Sequence, residues 1–141
     1  MRLRRVSLRA VVGVGAGLAL LVVPAAFTAS TAMHPELGAR LAGMGEHGVV
    51  NLRSQAAKGR LCWTFDLPMT KGITGASIHK GAKGVVVVRL GKSYAKKGCT
   101  SASTMTLEHL ESLPGAYWVF VDTKGHPGEL RGKLFAGMAH M

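Results

Sequence analysis

Three side chains in this sequence have the types to act as metal ligands or as an acid–base set: His79, Asp122 and His126. Two imidazoles and a carboxylate suit Zn or Cu(II) if the chain brings them together. The same groups also suit a hydrogen-bonding cluster that pins loops, with Asp122 accepting from His79 or pairing with Arg131. No His-x-His or His-x-x-x-His spacing accompanies them, which favours the cluster. Cys62 and Cys99 are the two cysteines, without Cys-x-x-Cys spacing. They are expected to form one structural disulfide, worth about 4 kcal/mol in the chain-entropy model. Glu129 and Arg131 lie two apart and share a strand face, as a charged recognition edge or a cross-strand ion pair worth about 0–1 kcal/mol. Nucleophilic chemistry finds little support. There is no Gly-x-Ser-x-Gly, and Gly81-Ala82-Lys83-Gly84 is too short for a phosphate loop. The chain reads as a non-enzyme.

The N-terminus sets the compartment. Arg2, Arg4, Arg5 and Arg9 precede an uncharged run, Ala10 to Met33, rich in Ala, Val, Leu and Gly. Pro24 interrupts the run, and Ser30-Thr31-Ala32 supplies small residues at its end. A basic end, an apolar middle and a small-residue site make a secretory signal peptide over residues 1–32. The mature chain then begins with a short segment, 33–36, and is secreted, with no stable membrane anchor once the leader is cleaved. An oxidising compartment agrees with the disulfide.

What remains is 109 residues, enough for one domain with its own core. Of the 18 basic residues, 14 lie outside the leader against 7 acidic ones, a net charge of +7 with His neutral. Such a surface favours solubility and attracts acidic partners such as wall polymers. The basic residues are scattered and aromatics are few, so no nucleic-acid module is expected.

Alternation places the elements. Glu36 to Gly43 is a first strand. Met44 to Ala57 is turn-like at its start and weakly periodic after it. In Gly59 to Leu67, Leu61, Trp63, Phe65 and Leu67 alternate with polar residues, the pattern of a half-buried strand. Ile73 to His79 is a strand, and the apolar run Val85 to Leu90 predicts a strand buried on both faces. Thr106 is the expected N-cap of one short helix that carries Leu107, Leu110 and Leu113. Tyr117 to Asp122 and Glu129 to Phe135 are the last strands, joined by a turn over 124–128. Tyr117, Val119 and Val121 are expected in the core, with the helix covering Trp118 and Phe120. Gly128 suits a turn and Gly132 a close packing site. The tail, 136–141, is expected to fray. Six or seven strands and one helix give an all-β antiparallel sandwich or barrel.

Three segments resemble the CHRD (chordin) family of secreted domains. Gly75-Ala76-Ser77-Ile78-His79-Lys80-Gly81 is similar to its "aHIHxG" segment. Thr106 to Leu110 leading into Tyr117-Trp118-Val119-Phe120-Val121-Asp122-Thr123 is similar to its helix and "YVNVHT" strand. His126-Pro127-Gly128-Glu129-Leu130-Arg131-Gly132 is similar to its "HPxGEIRG" ending. The resemblance spans residues 37–135 and implies an immunoglobulin-like β-sandwich or barrel, with Glu129, Arg131 and Gly132 in the family motif. Ser77 and Asp122 replace two histidines of that pattern. The expectation is a secreted, non-enzymatic binding or structural module at the cell envelope, whose partner is an anionic envelope polymer or another protein. No cofactor is expected. The alternative is a small extracytoplasmic metal-binding protein or metalloenzyme that uses His79, Asp122 and His126 with Zn or Cu.

Overall fold

The computed structural model describes residues 34–68 and 72–141, so the expected signal peptide lies outside the described residues. Period-two alternation dominates these two stretches. Eight strands form: β1 (Glu36–Gly43), β2 (Glu46–Gln55), β3 (Arg60–Asp66), β4 (Ile73–Lys80), β5 (Val86–Arg89), β6 (Lys97–Ser101), β7 (Tyr117–Thr123) and β8 (His126–Ala136). One helix, α1 (Thr104–Ser112), lies between β6 and β7. The strands make a single sheet in the order β5-β4-β7-β8-β1-β2-β3-β6, every pairing antiparallel and the whole nearly closed into a barrel. Among the described residues the all-β expectation holds, with one short α-helix.

The inward residues form one core. Leu37, Ala39 and Leu41 of β1 meet Val50 and Leu52 of β2, and Leu61, Trp63 and Phe65 of β3. Ile78, Val88, Val119, Val121, Leu130 and Leu134 fill the other half. Leu107 and Leu110 of α1 are fully buried in the same cluster. A fully buried Leu contributes about 1.5–3 kcal/mol. This short helix is therefore held by packing more than by its own propensity.

The open edges of the sheet, β5 and β6, are consecutive in the chain. Their connection, residues 90–96, crosses from one edge to the other. Trp63 donates its indole N–H to the Ala95 carbonyl at 2.9 Å, and Phe65 N–H bonds the Lys96 carbonyl at 2.8 Å. Tyr94 packs on Phe65 with ring centroids 5.5 Å apart. Burial pushes the Tyr94 hydroxyl up from its ordinary value of 10.0. Its stabilising contribution is complete below about pH 10 and fades as pH climbs through the raised value. Cys62 and Cys99 are directly opposed on β3 and β6, their α-carbons 3.9 Å apart, and they form the expected disulfide. The ring it closes contains β4 and β5, which pair on the far side of the sheet.

Several expectations need correction. Residues 44–57 are mostly the ten-residue strand β2, entered by a tight turn at Met44 and Gly45, both at positive φ. The run at 85–90 is an edge strand, not one buried on both faces. Val85 is 74% exposed and Val86 38%, while Val88 and Leu90 are buried. β-Branched residues favour extended backbone wherever it lies, so their run marks a strand without marking its depth. The helix starts earlier than expected, because Ser103, not Thr106, is the N-cap. The Ser103 hydroxyl oxygen accepts from Thr106 N–H at 3.1 Å. Leu113 is the exposed C-cap.

Reducing the disulfide, or replacing both cysteines with serine, should lower stability by about 4 kcal/mol, roughly 20 °C in Tm. Thermal melts with and without a thiol reductant check this, and an unchanged Tm would contradict it.

Candidate functional site

The residues expected to converge do not. His79 is on β4, opposite Trp118 of β7, whereas Asp122 is opposite Gly75, four residues further along the same strand pair. At the ordinary rise that is roughly 13 Å, with Phe120 between them on the same outer face. His126 is exposed beyond the β7–β8 turn. Among the described residues, no group of three His, Cys, Asp or Glu side chains is placed to hold a metal ion.

Each expected member has partners of its own. The His79 ring stacks on Phe120, centroids 4.0 Å apart and planes 9° from parallel. Its Nδ1 lies 2.9 Å from the Gly84 carbonyl, which only accepts, so in the neutral ring Nδ1 carries the proton. Nε2 then accepts from the Ser77 hydroxyl at 2.9 Å. Ser77 thus orients His79. Asp122 neither accepts from His79 nor pairs with Arg131, because its Oδ1 accepts the Gly128 N–H at 2.5 Å. Gly128 is at φ +66, where a side chain would be strained, and a Cβ there would lie 2.9 Å from the Phe120 ring. Glu129 accepts from the Thr123 hydroxyl. These bonds clamp the β7–β8 hairpin across its bulge.

The outer face of β8, β7, β4 and β5 carries two rows set by the strand register. One row is Arg131, Phe120, Ser77 and Arg89. The next is Lys133, Trp118, His79 and Val86. Neighbours within a row are about 4.8 Å apart, and the rows are roughly 7 Å apart. Arg40 of β1 extends the face, its guanidinium 6.0 Å from the centre of the Phe135 ring. Arg131 lies 5.4 Å from the centre of the Phe120 ring. Phe120 is therefore covered by His79, Arg131 and Gly128, and not by the helix as expected; α1 turns Leu107 and Leu110 into the core instead.

Arg40, Arg89, Arg131 and Lys133 are all exposed, and none pairs with a carboxylate among the described residues. The ion pair found among the described residues, Arg53 with Glu36 at 3.3 Å, is on the β1–β2 side and well exposed, so it contributes little. Where Arg131 meets the hairpin tips, a groove of about 420 Å³ opens between Met44, His126, Pro127 and Glu129. The closing motif of the sequence lines one wall of it.

The tail is not frayed. Asn51 of β2 donates from Nδ2 to the Ala139 carbonyl at 3.1 Å, and its Oδ1 accepts the Ala139 N–H at 2.6 Å. Ala139 is 3% exposed. A polar residue between Val50 and Leu52 gave the sequence no sign of this pin. The cation rows were also missed. Alternation along β8 puts Lys133 on the face of Arg131, but Arg89 and Arg40 join them only through pairings between distant segments.

No protein-family model matches the chain, and no curated protein matches it in sequence.

Asn51→Ala should cost about 1–2 kcal/mol by leaving a buried peptide unpaired. It should also make the last five residues sensitive to carboxypeptidase. Mass spectrometry of timed digests checks this; digestion at the parental rate would contradict it.

Proposed function

We propose that this chain is an exported, non-enzymatic binding module of the CHRD type, and that the outer face of β8, β7, β4 and β5 binds an acidic polymer of the cell envelope. One observation carries the reading. The register gathers Arg40, Arg89, Arg131 and Lys133 on one face, without carboxylate partners among the described residues. The nearby carboxylates, Asp122 and Glu129, are engaged by a backbone N–H and a hydroxyl inside their own hairpin. The motif from His126 to Gly132 and the leader-like first 32 residues support the family and the export. The disulfide that ties the β-fold agrees with an oxidising compartment.

Magnitudes favour a polymer over a small ion. One exposed cation–anion contact is worth about 0–1 kcal/mol, so one site alone binds weakly. Four contacts along one chain add to a few kcal/mol, and repeated anionic groups raise the effective concentration at each cation. The same exposure makes the binding sensitive to salt, because the screening length falls from about 10 Å at 0.1 M to about 3 Å at 1 M.

The test is a pull-down of the purified protein on cell-wall fractions. The protein should be retained at low salt and released at high salt. Arg131→Ser with Lys133→Ser should reduce retention about tenfold or more, and Arg60→Ser with Lys97→Ser should leave it near parental. Absence of binding at any salt concentration, or equal loss in both double variants, would overturn the reading.

A further inference from the structure

We infer that the polymer taken by this face is an acidic glycan, one whose sugar rings carry carboxylates, and that Trp118 is the plate on which a ring rests. The inference rests on the acidic-polymer reading above and deepens it. Cations alone do not choose between a glycan and an inorganic polyanion. The aromatic residues among them do. A pyranose ring has an apolar C–H face as well as a polar rim, and a uronate adds a carboxylate. Its recognition calls for a flat apolar surface beside a cation. Polyphosphate has charge without any apolar face.

Trp118 meets that need. It is half-buried on the outer face, directly between Lys133 of β8 and His79 of β4. Among the described residues, the ring–ring and guanidinium–ring contacts involve Phe65, Tyr94, His79, Phe120 and Phe135, and none involves the Trp118 indole. The other outward rings differ. Phe120 is filled by His79 on one side and approached by Arg131. Phe135 is overlaid by Arg40. An indole with no stacked partner, Lys133 on one side and the polar His79 ring on the other, fits a sugar ring with a charged substituent. Single-stranded nucleic acid is bound by successive open rings, one for each base. A face with one open plate fits that ligand less well.

The experiment uses the purified protein and three probes of comparable charge: polyglucuronate, inorganic polyphosphate and oligo(dT). Affinities are measured at low salt for the parent and for Trp118→Ala. Polyglucuronate should bind, and Trp118→Ala should weaken it about tenfold while polyphosphate binding changes less than twofold. A second readout needs no variant. Polyglucuronate should shield the half-exposed indole of the parent protein from acrylamide quenching, and polyphosphate should not. If both polyanions bind, Trp118→Ala weakens neither and the indole stays quenchable, the glycan inference is overturned while the acidic-polymer reading stands. Tighter binding of oligo(dT) than of polyglucuronate, lost in Trp118→Ala, would overturn it in favour of nucleic acid. If no probe binds, the underlying reading of the face fails, and this inference with it.

Discussion

The fold depends on how closely β8 lies against β1. β8 is the seam of the sheet, with β1, β2, β3 and β6 on one side and β7, β4 and β5 on the other. At this seam there is no room for a side chain at two points. A Cβ on Gly132 would stand 1.9 Å from the Arg40 carbonyl oxygen, and one on Gly43 would stand 1.8 Å from that of Glu129. The two glycines let the backbones approach and fix which residues oppose each other. Because side chains alternate strictly, a slip of one residue would turn Arg131 and Lys133 inward and Leu130 and Leu134 outward. Burying two unpaired cations costs far more than any nearby contact returns. The register that seals the core therefore also composes the charged face.

Rigidity at the edges has a separate source. β5 and β6 each have one neighbour in the sheet, and edges of this kind invite pairing with other chains. Here the segment between them is tied to β3 by the Trp63 indole, by Phe65 N–H and by Tyr94, and the disulfide holds β6 to the same strand. The Asn51 side chain adds a third tie by fastening the tail to β2. What is left open is the broad outer surface of β8, β7, β4 and β5. Interaction across that surface needs no moving part.

The sequence was most legible where alternation was clean. Leu61, Trp63, Phe65 and Leu67 pointed to β3, and Leu130, Gly132 and Leu134 to the inner side of β8, and all seven are buried. β2 was obscured for identifiable reasons. Val49 stands beside Val50, and the inward position after Leu52 is a serine, so the period of two does not register. The tail gave no hydrophobic signal, because Asn51 holds it through its backbone. His79, Asp122 and His126 were grouped by residue type, yet the register spreads them along the strands and inserts Phe120. Local patterns disclose a strand and its faces. Which strands become neighbours is decided by packing between residues far apart in the chain, and the cation rows arise at that level.

The most direct measurement is a map of amide chemical-shift changes in the labelled protein during titration with polyglucuronate at low salt. The account predicts changes centred on Ser77, His79, Arg89, Trp118, Phe120, Arg131 and Lys133. Shifts centred on Arg53, Arg60 and Lys97, on the opposite side of the barrel, would contradict it.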